Sequence, residues 1–128
     1  MDINKTRLAH IGLHVPNMQN AIKFYTEVMN FEISERYKSP HGDIEFVFVS
    51  NGEVTYELIE NPALATSSVD HIAYESEDIQ ASFDHFNNIN PECILSGIGF
   101  IDFVFENGVK FFFISGCGGE KIEFCQRL

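Results

Sequence analysis

Two histidines and two glutamates of this chain stand at corresponding places in a repeated pattern. His10 lies in Leu-Ala-His-Ile-Gly-Leu-His-Val (8–15) and His71 in Val-Asp-His-Ile-Ala-Tyr-Glu (69–75), 61 residues later. Glu57 lies in Val-Thr-Tyr-Glu-Leu-Ile-Glu (54–60) and Glu123 in Glu-Lys-Ile-Glu-Phe-Cys-Gln (120–126), 66 residues later. Strand alternation sets each apart from its apolar neighbours. Ala9, Ile11, Leu13 and Val15 oppose His10, while Asp70, Ile72 and Tyr74 oppose His71. Val54, Tyr56 and Leu58 oppose Glu57, and Ile122 and Phe124 oppose Glu123. A solvent-facing strand also shows single polar residues, and that account suits His14 and Glu75. Duplication of a fold explains repeated apolar spacing, but not a repeated His and Glu on the opposite face. Two imidazoles and two carboxylates converging on one point are, by residue type, a divalent-metal site.

The elements that must position them also recur. After the strand 8–15, Asn17 is a helix N-cap, and Met18, Ala21, Ile22, Tyr25, Val28 and Met29 form one buried stripe of a helix over about 17–29. Strands follow at 32–38, 44–50 and 54–60, separated by Ser-Pro-His-Gly-Asp (39–43) and Asn51-Gly52. The second round has a strand at 69–75 and an acidic helix start at Ser76-Glu77-Asp78, with Ile79, Phe83, Phe86 and Ile89 as the apolar stripe. Strands at 100–106, 109–115 and 120–126 complete it. Each round reads strand–helix–three strands, and the extra residues of the second fall near Pro91–Gly97, where a loop tolerates insertion. This predicts an α+β chain of one domain spanning 1–128, built of two βαβββ modules at about 7–61 and 68–127.

Composition narrows the partners. Eight Lys and Arg against 19 Asp and Glu give a formal charge of −11, with 45% hydrophobic residues. So acidic a chain has no basic stripe to neutralise phosphates, which excludes nucleic acid and anionic membrane surfaces. No apolar run reaches the ~18 residues of a membrane span, and the N-terminus has no signal-like stretch. Cys93, Cys117 and Cys125 are odd in number and lack C-x-x-C spacing, as expected in a reducing, cytoplasmic setting. Gly116–Gly119 reads as a turn, since neither Lys-Ser/Thr nor a helix follows it. Phe111-Phe112-Phe113 reads as a strand that also lines the site with Phe46 and Phe48, and His41 and His85 as exposed.

The stretch His-Ile-Gly-Leu-His-Val-Pro-Asn-Met-Gln-Asn-Ala-Ile-Lys-Phe-Tyr-Thr-Glu-Val-Met-Asn-Phe (10–31) resembles the opening of the vicinal oxygen chelate superfamily. Asp70-His71-Ile72-Ala73-Tyr74 and Gly119-Glu120-Lys121-Ile122-Glu123-Phe124 resemble its later motifs. The group includes glyoxalase I, methylmalonyl-CoA epimerase, extradiol dioxygenases, fosfomycin-resistance thiol transferases and bleomycin-binding proteins. The resemblance implies a cup-shaped mixed sheet of glyoxalase/bleomycin-resistance type with a metal held by His10, Glu57, His71 and Glu123. A His/Glu/His/Glu set is similar to glyoxalase I. It neutralises a divalent ion and leaves room for two waters, favouring Ni²⁺ or Co²⁺, then Mn²⁺, over four-coordinate Zn²⁺.

What the resemblance implies first is a glyoxalase I-like lyase or isomerase. A proton moves through a metal-bound enediolate on a thiol adduct of a 2-oxoaldehyde, with Glu123 or Glu57 as base. The first alternative is a methylmalonyl-CoA epimerase-like isomerase, suggested by Glu-Leu-Ile-Glu-Asn-Pro (57–62) and Gly118-Gly119. The second is a metal-free ligand-binding protein of the bleomycin-resistance kind. Where short glyoxalases have Arg four residues after the first ligand, this chain has His14; Asn61, four after Glu57, matches a glutathione-contacting Asn. An anionic thiol conjugate needs local cations, for which Arg7, Arg36, Lys38, Lys110 and Lys121 are candidates. The expected substrate contacts are His14, Asn61, Arg36 and Lys38, and the expected assembly is a homodimer.

Overall fold

The computed structural model describes residues 6–128, which fall into two compact units. One comprises residues 10–70; the other comprises 71–128 together with 6–9. The chain order is β1 (Arg7–Val15), α1 (Met18–Lys23) continued by a π-helical turn (Phe24–Val28), β2 (Glu32–Lys38), β3 (Glu45–Ser50) and β4 (Thr55–Glu60). Then come β5 (Ser68–Glu75), α2 (Ile79–Ile89), a 3₁₀ turn (Pro91–Cys93), β6 (Gly99–Ile101), β7 (Val109–Ser115) and β8 (Lys121–Arg127). Strand–helix–three strands thus occurs twice, and the α+β class with two βαβββ modules stands.

In the first unit β2 pairs antiparallel with β3, β3 antiparallel with β4, and β4 parallel with β1. The second repeats this with β6, β7, β8 and β5. The helix of each unit covers the apolar strand face. In the first, Leu13, Val15, Met18, Phe31, Val47, Val49 and Leu58 form the core, with Tyr25 and Tyr56 against them. In the second, Ile79, Phe112, Ile114 and Phe124 do so, with Phe83 and Phe86 packed on them.

Both helix starts use one device. Asn17 Oδ1 accepts the Asn20 N–H at 2.9 Å and Asp78 Oδ1 the Ala81 N–H at 3.1 Å. The first N–H of each helix donates to the last strand of the same unit: Met18 to Glu60 Oε2 at 2.8 Å, and Ile79 to Gln126 Oε1 at 2.9 Å. Each helix start is thereby tied to the strand that carries the glutamate. Asp78→Ala should cost about 1 kcal/mol of unfolding free energy, measured by urea denaturation.

Three expectations need correction. The first helix does not bury Val28 and Met29, which are 68% and 46% exposed. A π turn brings the Met29 N–H to the Phe24 carbonyl, and Asn30 ends the helix in the left-handed region (φ 60°). Phe31, its N–H bonded to the Tyr25 carbonyl, enters the core instead. Ile89 is 71% exposed because α2 stops there, ahead of Pro91. The strand expected at 100–106 is only Gly99–Ile101. Its edge of β7 is met earlier, by an Ile94–Ile114 bridge and the Leu95 N–H to the Phe113 carbonyl. Between those contacts the Ser96 hydroxyl accepts the Phe113 N–H at 3.0 Å, so the edge is a broken strand.

Candidate functional site

Each unit buries one His–Glu pair, and the two are built alike. In the first, Glu57 on β4 pairs in register with Gly12, two residues beyond His10 on β1. In the second, Glu123 on β8 pairs with Ala73, two residues beyond His71 on β5. The offset of two puts each imidazole and carboxylate on the same sheet face. His10 Nε2 lies 3.7 Å from Glu57 Oε1, and His71 Nε2 lies 3.0 Å from Glu123 Oε2. His10, Glu57, His71 and Glu123 are 5%, 9%, 4% and 8% exposed. Charged residues are rarely so buried unless paired or bound to a metal.

A phenylalanine backs each pair. Phe48 stands opposite Glu57 in the β3–β4 register and meets the His10 ring edge to face at 5.6 Å. Phe113 stands opposite Glu123 in the β7–β8 register and meets His71 the same way at 5.7 Å. These rings hold the imidazoles in place and shield them from water. Phe112, between two partly buried neighbours, points the other way into the core and is 0% exposed.

Register also sorts the proposed substrate contacts. Glu57, Phe48 and Glu35 are successive partners across β4, β3 and β2, so Glu35 and Tyr37 share the face of Glu57. Arg36 pairs with Val47, a core residue, and Lys38 with Glu45, so both project from the opposite face. There Arg36 Nε donates to Glu45 Oε2 at 2.9 Å, and Lys38 Nζ lies 3.9 Å from the same oxygen. The structure does not bring Arg36 or Lys38 to the His10–Glu57 pair. Alternation along β2 already contained this signal. On the Glu57 face, the Tyr37 hydroxyl donates to Glu35 Oε1 at 2.9 Å.

His14 follows His10 by four along β1, and its Nε2 is 3.9 Å from Asp70 Oδ1. Asn61 sits in the turn after β4, where its side chain accepts the Ala63 N–H and its own N–H reaches the Val15 carbonyl. His41 is exposed, whereas His85 is half-buried with its ring against Phe86. The three cysteines are free thiols, and buried Cys125 donates to the Tyr74 carbonyl.

Outside these pairs, burial and then the nearby Tyr56 push the Tyr25 hydroxyl above its ordinary ionisation range. A phenol raised in the folded state adds stability that is complete below the unfolded value, about pH 10, and is lost as pH rises through the folded one. An ultraviolet titration should show a late-ionising tyrosine that is lost in Tyr25→Phe.

Residues 7–103 match the model of the Glyoxalase/Bleomycin resistance protein/Dioxygenase superfamily. The chain belongs to this superfamily. The superfamily match takes in His10, Glu57 and His71, while Glu123 lies beyond it. A relative matching nearly end to end is the uncharacterized protein YwbC of Bacillus subtilis, 32% identical over 94% of this chain and 98% of that protein. The ethylmalonyl-CoA/methylmalonyl-CoA epimerase of Cereibacter sphaeroides is 25% identical over 71% of this chain and 76% of its own length. Among solved structures, methylmalonyl-CoA epimerase from Mycobacterium tuberculosis has the same fold, with a TM-score of 0.73 at 13% identity over 94% of this chain and 87% of that one. Among the described residues no helix is long and apolar enough to cross a membrane.

Proposed function

We propose that this chain is a divalent-metal-dependent isomerase that removes and returns the proton on a carbon next to a carbonyl, acting on an acyl-CoA of the methylmalonyl-CoA kind. The observation that carries the reading is the twice-built buried His–Glu pair. A lone pair offers two donor groups, whereas a divalent ion of this class takes four to six. His10, Glu57, His71 and Glu123 together make a fitting set of two neutral imidazoles and two carboxylates. The relatives named as methylmalonyl-CoA epimerases favour the thioester over other substrates of the same chemistry.

When bound, the ion supplies Lewis-acid polarisation of the substrate oxygens, which lowers the cost of charge gathering on them. His10 and His71, with Glu57 and Glu123, would hold it. One glutamate takes the α-proton, and the other delivers a proton to the opposite side of the same carbon, inverting it. Phe48 and Phe113 back the two carboxylates, which exchange protons with solvent between turnovers and so regain their starting protonation.

A glyoxalase I-like lyase is the second reading, favoured by the presence of a glutamate in both pairs. Both reactions exchange a carbon-bound proton, and the exchange separates them. The metal-loaded protein in D₂O should wash the α-proton out of methylmalonyl-CoA, followed by proton NMR. Turnover only of the hemithioacetal of methylglyoxal and glutathione would establish the lyase instead. Reaction with neither substrate contradicts both enzyme readings and leaves a ligand-binding module.

A further inference from the structure

A chain of charge −11 that takes an anionic substrate gains from a cation beside the ion site, and among the described residues strand register singles one out. Arg7 shares the β1 face opposite His10; Arg36 and Lys38 lie on the face away from Glu57; Lys23 is exposed on α1. Lys110 pairs with Gln126, whose side chain caps α2, so it too faces away from Glu123. Arg127 shares the Glu123 face but lies four residues on, its guanidinium stacked 3.7 Å over Phe105. Lys121 is different. It precedes Glu123 by two residues on β8, on the same face, about 7 Å along the strand.

Its ammonium sits 4.3 Å from the centroid of Phe113, the ring that also packs edge to face on His71. One ring therefore holds both the imidazole of this unit's His–Glu pair and a half-buried cation beside it. A cation over an aromatic face has lost part of its water, which strengthens its attraction for an incoming anion.

We propose that Lys121 is the specificity-determining residue that recognises the free carboxylate of the substrate, selecting acyl thioesters that bear a second acid group over neutral ones. The inference rests on the acyl-CoA reading of the site. In such a substrate the free carboxylate is attached to the very carbon whose proton moves. A cation one same-face step from Glu123 can hold that group while the carboxylate of Glu123 faces the carbon.

Calorimetric titration of the metal-loaded protein with methylmalonyl-CoA and propionyl-CoA, which differ only by that carboxylate, tests it. The wild type should bind methylmalonyl-CoA at least about tenfold more tightly, the worth of one charge-assisted hydrogen bond. Lys121→Met, which keeps the apolar stem, should erase that preference and leave propionyl-CoA affinity within about twofold. Lys121→Gln serves as a second uncharged variant should the first not fold, and Lys121→Arg should retain the preference. An unchanged preference in the uncharged variants, equal weakening of both ligands, or a wild type that binds neither or shows no preference overturns the assignment. Selective binding through Lys121 without α-proton exchange would instead retain this recognition role and reject the isomerase reading.

Discussion

Glu123→Gln should slow epimerisation by about a thousandfold, within the range expected when a positioned general base is removed. Glutamine has nearly the shape of glutamate and keeps a side-chain oxygen, so the loss isolates the negative charge and the proton-accepting power. Glu123 is 8% exposed and pairs with His71 at 3.0 Å on the face opposite the Phe112–Phe124 core. The fold should therefore survive, with thermal unfolding within a few degrees of wild type. Glu57→Gln should behave alike, since Glu57 holds the equivalent register position. If one carboxylate serves each side of the carbon, each variant loses epimerisation but still exchanges the α-proton of one epimer. Starting from each pure epimer shows which glutamate faces which proton. A wild-type-like rate in Glu123→Gln would remove it from the mechanism.

Stripping divalent metal with a chelator should abolish exchange and lower the melting temperature by roughly 10–15 °C. An ion present at a thousandfold its dissociation constant stabilises the native state by about 4 kcal/mol. For a domain of this size each kcal/mol moves the midpoint by a few degrees. Two buried pairs of imidazole and carboxylate make this protein more sensitive than one whose ligands are exposed, because burial makes their uncompensated charges costly. Readdition of Co²⁺ or Ni²⁺ should restore both rate and melting temperature. Activity that survives complete removal of metal would contradict the role of the ion.

The repeat was legible because it is written in two periodicities at once. Alternation in β1, β4, β5 and β8 exposed the four His and Glu residues, and each lies where that alternation puts it, buried and facing its partner. The helices were legible from Asn17 and Asp78, whose capping carboxamide and carboxylate both bond the expected N–H groups. Helix exits and strand edges were less so, for physical reasons. A π turn shifts the buried row by one residue, so that Phe31 replaces Val28 and Met29 in the core, and no residue type in 24–29 requires it. The broken edge at 94–101 depends on a tertiary contact from the Ser96 hydroxyl to the Phe113 N–H. Arg36 and Lys38 suit an anionic substrate by residue type, but type alone does not say which side of β2 they leave. Their strand register places them with Glu45 instead. Among the cations of the described residues, register places Lys121 beside Glu123.

Metal analysis of the purified, metal-loaded protein tests the central claim most directly. The two His–Glu pairs jointly holding one ion predict about one divalent ion per chain, falling to near zero in both His10→Ala and His71→Ala. Less than about 0.2 ion per chain in the wild type, or full loading in both variants, would contradict it.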